Sequence, residues 1–202
     1  MSETNSDIFT IDNPKYLKDE YFESLLQCSI ISGLIYEDDP IKAFESHQYN
    51  YLNHGIKSLC VSKTTDDKES NKDSNLDVKY MICDCSKNEN QKRLIIGFRG
   101  TSSFQDFLVD LDLIGRINEC VGSFHSGIYK RSKKIPIKHF IEKLINEEYE
   151  IIFTGHSLGA AIASLVTVQV LTQKAVLAGF EKKVQFIGFG SPLVACDNQK
   201  VY

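Results

Sequence analysis

Residues 149–170 read YEIIFTGHSLGAAIASLVTVQV, and this stretch decides how the rest of the chain is understood. Tyr149 to Phe153 is a short apolar run of β-branched and aromatic residues, the pattern of a buried strand. From Leu158 onward, Ala161, Leu165, Val168 and Thr172 recur at helical spacing, with Ile162, Val166 and Val170 beside them. Between the two lies Gly155-His156-Ser157-Leu158-Gly159. A Gly-x-Ser-x-Gly that joins a strand to a helix is the context of a nucleophile elbow. The serine is forced onto a tight turn, where its hydroxyl is expected to stand exposed above the end of a sheet. The flanking glycines remove side chains that would collide with the neighbouring strand and helix. Ser157 is therefore the candidate nucleophile.

The chain has 202 residues, 42% apolar and 25% charged, which suits one soluble domain with a substantial core. Its net charge of −4 gives no reason to expect nucleic acid. No run approaches the ~20 apolar residues that span a bilayer. The opening, MSETNSDIFTIDNPKYLKDE, is polar and acidic rather than a secretory signal or transit peptide, so a cytoplasmic location is expected. Cys28, Cys60, Cys83, Cys85, Cys120 and Cys196 lie in apolar segments without a repeated spacing. Reduced, mostly buried thiols fit that context. Cys83 and Cys85 alternate along a predicted strand, but no further ligands lie nearby, so neither a metal nor another cofactor is expected.

Residues 1–15 read as a loose lead-in, and 16–202 as a single domain. Between Asp19 and Ile35, Phe22, Leu26, Ile30 and Leu34 recur every four residues with Leu25 alongside, predicting an amphipathic helix. Asp39-Pro40 is a cap followed by proline at the first helical position, so a short helix is predicted from Pro40 to His47. Leu59 to Ser62 and Val78 to Cys85 are predicted strands, joined by the charged run KTTDDKESNKDSNLD as a mobile hairpin loop. Asn88-Glu-Asn is a turn, and Arg93 to Phe98 is a third strand. It runs into Arg99-Gly100-Thr101 and then FQDFLVDLDLIG, where Phe104, Phe107, Leu108 and Leu111 share one helical face. Pro136 opens another helix, with Ile137, Phe140, Ile141, Leu144 and Ile145 inward. Glu181-Lys-Lys is a turn before a final strand, Val184 to Phe189. Helix, strand, helix, strand in succession predicts a mostly parallel sheet with helices on both faces.

Four segments, RLIIGFRGTSSFQDFLVDL, FHSGIY, IIFTGHSLGAAIASL and VQFIGFGSPLV, resemble in order and spacing the class 3 (fungal-type) lipases of the α/β-hydrolase fold. The resemblance covers about half the chain directly. It implies acyl-ester hydrolysis through a Ser157 acyl-enzyme, on acylglycerols or other lipid esters or at a lipid surface. It places the oxyanion hole at Thr101 and at Leu158, whose N–H opens a helix where the dipole also favours negative charge. It makes the helix from Ser103 to Leu111 the lid, with Phe104, Phe107, Leu108 and Leu111 as its apolar face. It gives His125 a structural role, and turns His156 into the core around the elbow rather than making it the base. His47, His54 and His139 read as solvated.

In this fold the triad runs Ser, then Asp or Glu, then His along the chain. After Ser157 the sequence holds no histidine, and Glu181 and Asp197 are its later acids. The resemblance implies that the acid and histidine fall beyond Tyr202, so the domain is expected to be incomplete at its C-terminus. On that expectation the 202-residue chain alone is inactive or nearly so. One alternative is a non-catalytic lipase-like module that binds a lipid or a partner protein. A serine peptidase or thioesterase on the same fold would share the elbow but leaves the Arg99-Gly100-Thr101 arrangement unexplained.

Overall fold

The computed structural model describes residues 19–64, 77–100, 116–119, 122–173, 176, 179–192 and 194–196. In chain order these form α1 (Asp19–Leu34), α2 (Pro40–Ser46), α3 (Gln48–Asn53), β1 (Ser58–Lys63), β2 (Lys79–Asp84) and β3 (Arg93–Phe98). Then come β4 (Arg116–Glu119), β5 (Gly122–His125), α4 (Ser126–Lys133), α5 (Ile137–Asn146), β6 (Glu150–His156) and α6 (Leu158–Leu171). A 3₁₀ turn (Glu181–Lys183), β7 (Val184–Phe189) and β8 (Ala195–Cys196) complete the described residues.

The main sheet has the order β1-β2-β3-β6-β7. β1 and β3 each pair antiparallel with β2, while β3, β6 and β7 pair in parallel. Four of the five strands therefore point one way and β2 alone is reversed, a mostly parallel sheet as expected. β4, β5 and β8 form a separate antiparallel sheet. The predicted hairpin is present at its base, where Lys63 faces Lys79 across β1 and β2. Its loop, residues 65–76, lies outside the described residues, as does the lead-in.

Period-two alternation sends each strand's side chains into two cores. Tyr80, Leu94, Ile96, Phe98, Ile151 and Phe153 face one side, against Phe140 and Leu144 of α5 and much of α6. Met81, Cys83, Ile95 and Ile152 face the other, against Cys28, Ile31 and Leu34 of α1 and Ile35 just beyond it. So the sheet is covered on both faces, and its inner strands need no polar side. β3 shows this directly, being buried at every position.

α1 forms where predicted, but its buried face is rotated from the predicted stripe: Leu34 is buried and Leu25 and Ile30 pack partly against the core, while the earlier positions turn out. Phe22 is 56% exposed and Leu26 36%, while Ser24, Gln27, Cys28, Ile31, Ser32 and Ile35 turn inward. A strict four-residue repeat advances about 400° per step at about 100° per residue, so twelve residues carry it about 120° around the helix. The sheet also prefers the face it can approach closely. A Cβ on Gly97 would stand 2.6 Å from Ile31 Cγ2, so Ile31 fills the groove that the missing side chain leaves. α6 is likewise less one-sided than its sequence pattern, being buried from Leu158 to Ala163 without a break. α4 and α5 pack against α6, and α5 also reaches the sheet, its Phe140 ring meeting Phe153 at 5.6 Å. No helix among the described residues is long and apolar enough to cross a membrane.

Candidate functional site

β6 ends at His156 and α6 begins at Leu158, leaving Ser157 as the single residue of the turn. Its backbone has φ 55° and ψ −124°. A positive φ in a residue with a Cβ is a strained conformation, of order 1–3 kcal/mol, and such strain collects at functional sites. Neighbouring hydrogen bonds hold it there. The Ser157 N–H donates to the Phe189 carbonyl at the end of β7 (2.9 Å), and the Ala161 N–H donates to the Ser157 carbonyl (3.1 Å).

The two motif glycines are required by contact. A Cβ on Gly155 would lie 2.5 Å from the Gly159 carbonyl carbon and 2.8 Å from the Ala160 nitrogen. One on Gly159 would lie 2.1 Å from the Phe98 carbonyl oxygen and 3.0 Å from the Gly100 nitrogen. Backbone thus meets backbone at two places, strand to helix and elbow to the exit of β3. This brings Arg99-Gly100 beside the N-terminus of α6.

Tyr36, just past α1, closes the same junction. Its hydroxyl accepts from the Gly100 N–H (3.1 Å) and donates to the His156 carbonyl (3.3 Å). The Arg99 guanidinium lies over its ring at 5.8 Å. Burial pushes the Tyr36 phenol above its ordinary value, opposed by the Gly100 bond and the Arg99 charge. Sequence reasoning missed this residue, since a tyrosine 121 positions before the serine carries no local signal.

Two expectations about the elbow need correction. Ser157 is not exposed: it is 4% accessible, and its Oγ is buried with no hydrogen-bond partner among the described residues. The backbone of the turn is tied to the end of β7 through Phe189, and raising the hydroxyl above the strand does not bring it to solvent. His156 is not turned into the core: it is exposed, with its ring edge-on to Tyr36 at 6.2 Å. Alternation puts it on the same face as Ile152 and Thr154. α1 covers those two, with Ser32 Oγ 3.1 Å from Thr154 Oγ1, but it stops at Leu34 and leaves His156 overhanging.

His47, His54 and His139 are exposed, as expected. His125 occupies the N-cap of α4, and its N–H donates to the Val194 carbonyl (3.1 Å). Leu158 is buried at the first position of α6, where backbone N–H groups have no partner within the helix. Thr101 and the lid residues Phe104, Phe107, Leu108 and Leu111 lie outside the described residues. No group of three or more His, Cys, Asp or Glu among the described residues is arranged to hold a metal.

Residues 95–201 match the Lipase (class 3) family. The chain belongs to that family. The yeast protein "Putative lipase LIH1" (Saccharomyces cerevisiae) is 30% identical over 113 residues, which is 45% of this chain and 33% of the yeast protein. Among solved structures, the Rhizomucor miehei lipase propeptide complex aligns with a TM-score of 0.61 at 16% identity, covering 88% of this chain and 55% of that one. Lipase II from Rhizopus niveus gives 0.61 at 16%, covering 88% and 65%. The N225Q mutant of MDLA from Penicillium cyclopium gives 0.58 at 21%, covering 87% and 63%. These structures share the α/β-hydrolase fold with this class 3 lipase relative. The chain spans a third of the yeast protein's length and less than two thirds of each of these three structures.

Proposed function

We propose that the protein is a lipase- or carboxylesterase-type serine hydrolase that cleaves acylglycerols or other lipid esters through a Ser157 acyl-enzyme. The observation that carries the proposal is the φ of 55° at Ser157, on a turn whose glycines admit no side chain. A serine held in strain between a strand and a helix N-terminus is positioned for attack rather than for capping. Its Oγ adds to the ester carbonyl carbon as its proton passes to a base. The alkoxide then leaves with a proton, and water releases the acid by the reverse sequence. In this proposal the Leu158 N–H and Thr101 receive the oxyanion, one such donor being worth roughly 3–4 kcal/mol in a related site. Phe104, Phe107, Leu108 and Leu111 are assigned to the apolar face that meets the lipid.

The base is the part for which the described residues offer no group in place. Ser157 Oγ bonds to none of the five histidines, all of which are described. That observation favours a second reading, in which the chain binds a lipid or a partner without turnover. Added imidazole distinguishes the two. Hydrolysis of p-nitrophenyl butyrate by the 202-residue chain is compared with that by Ser157→Ala across an imidazole titration, with acyl-Ser157 followed by intact mass. Without imidazole the two rates are expected to match. With it, the parent is expected to exceed the variant and to carry the butyryl adduct. Equal rates and no adduct at every concentration would refute the acyl-enzyme and leave the binding reading.

A further inference from the structure

We propose that Tyr36 is a positioning residue for the acyl-transfer site, registering the exit of β3 against the nucleophile elbow. The inference rests on the acyl-enzyme reading of Ser157 and adds to it a residue far away in sequence. One hydroxyl spans the two backbone segments that flank the site, accepting from the Gly100 N–H at 3.1 Å and donating to the His156 carbonyl at 3.3 Å.

The β3–β6 ladder ends with Phe98 opposite Gly155, and the Arg99 N–H donates to the Lys79 carbonyl (2.9 Å); past that point the two segments approach where side chains are missing. A Cβ on Gly100 would fall 2.4 Å from the Tyr36 hydroxyl, 2.8 Å from the His156 carbonyl and 3.2 Å from the Gly159 nitrogen. Close approach makes the junction possible, but van der Waals contact between two backbones fixes separation and not rotation. Hydrogen bonds are directional, weakening steeply as the angle bends, and the Tyr36 hydroxyl supplies one to each segment. With the Gly100 peptide plane fixed this way, the chain leaves β3 in one orientation relative to the α6 N-terminus. Hole donors act only when they are organised before charge develops.

The ring is itself held. Arg99 lies over one face at 5.8 Å, and the His156 ring meets it edge-on at 6.2 Å. Tyr36 is also tied to α1, since its N–H donates to the Gly33 carbonyl (3.0 Å). The phenol therefore refers the site to a helix that packs on the opposite core from α6.

Tyr36→Phe keeps the ring and removes the hydroxyl. Three readouts are taken on the 202-residue chain: amide hydrogen exchange at Gly100, exchange at the core amides of Ile96 and Phe153, and the imidazole-supported Ser157 acylation rate as a function of p-nitrophenyl butyrate. Exchange at Gly100 is expected to rise at least about tenfold while Ile96 and Phe153 hold, and the maximal acylation rate to fall by about tenfold at unchanged apparent KM, the scale of one hydrogen bond. A purely structural tyrosine would move the core amides as well and leave the rate per folded molecule alone, and that result overturns the inference. So does an unchanged Gly100 amide or an undiminished rate in the variant. A parent chain with no Ser157-dependent acylation fails the acyl-enzyme reading itself and takes this inference with it.

Discussion

Replacing Gly159 by alanine offers the sharpest test of the elbow. A Cβ there would sit 2.1 Å from the Phe98 carbonyl oxygen and 2.9 Å from its carbon. Carbon and oxygen rest no closer than ~3.3 Å, so strand and helix have to separate by about 1 Å. Both contacts are with backbone in the centre of the sheet, and neither can rotate away. Overpacking of this kind costs about 1–3 kcal/mol and more where the surroundings are rigid, against a gain of about 1 kcal/mol in helix propensity. The expected net loss is about 2 kcal/mol, which lowers Tm by roughly 4–8 °C for a chain of this size. A shift of about 1 Å at a reacting centre costs about a hundredfold in rate, so imidazole-supported acylation should fall with it. Gly33→Ala is the matched control. It lies in α1 with nothing within 4 Å of the added carbon, so it should stabilise by about 0.5–1 kcal/mol. Thermal unfolding of both variants by circular dichroism measures the contrast. A Gly159→Ala variant that melts at or above the parent, or a Gly33→Ala variant that melts below it, would refute the contact argument.

Three further outcomes follow from the cores. Arg93 is only 7% exposed and donates to Glu150 at 2.7 Å, with Glu20 a longer, exposed partner at 3.4 Å; Glu150→Ala should cost about 3 kcal/mol in urea unfolding by stranding that charge, and Arg93→Met combined with Glu150→Leu should recover most of it. Cys28, Cys83 and Cys85 are buried and Cys60 is exposed, so native labelling with a thiol reagent, mapped by peptide mass, should reach Cys60 and spare the other three. Burial pushes the Cys28 thiol from 9.0 up to about 12, with Thr154 and Arg93 opposing. The unfolded thiol thus loses its proton first, and stability should fall as pH rises from 9 towards 12, as a pH series of melts would show. Stability unchanged across that range would contradict the burial of the thiol.

Elements were legible wherever the code is local. The strand 93–98, the Asp39 cap donated to by the Lys42 N–H, the α5 stripe on Phe140 and Leu144, and the turn at 88–91 all follow from neighbours within a few residues. The face of α1 was not, because Ile31 and Ser32 turn inward to meet Gly97 and Thr154 of the sheet, and Gln27 to reach the distant His54 carbonyl. α3, α4 and the β4–β5 pair were also missed. These elements are six, eight and four residues long, too short for a hydrophobic period to declare itself.

For the site the division is the same. The amino-acid order alone marked Ser157, because a strand, two glycines and a helix lie contiguously around it and a tight turn is a local event. Burial of its hydroxyl, exposure of His156 and the bridge from Tyr36 were decided by tertiary structure. Each depends on where α1 stops relative to β6 and on how closely β3 and α6 approach. Those distances are set by contacts between residues as far apart as Tyr36 and His156, and no stretch of sequence short enough to be read locally contains both.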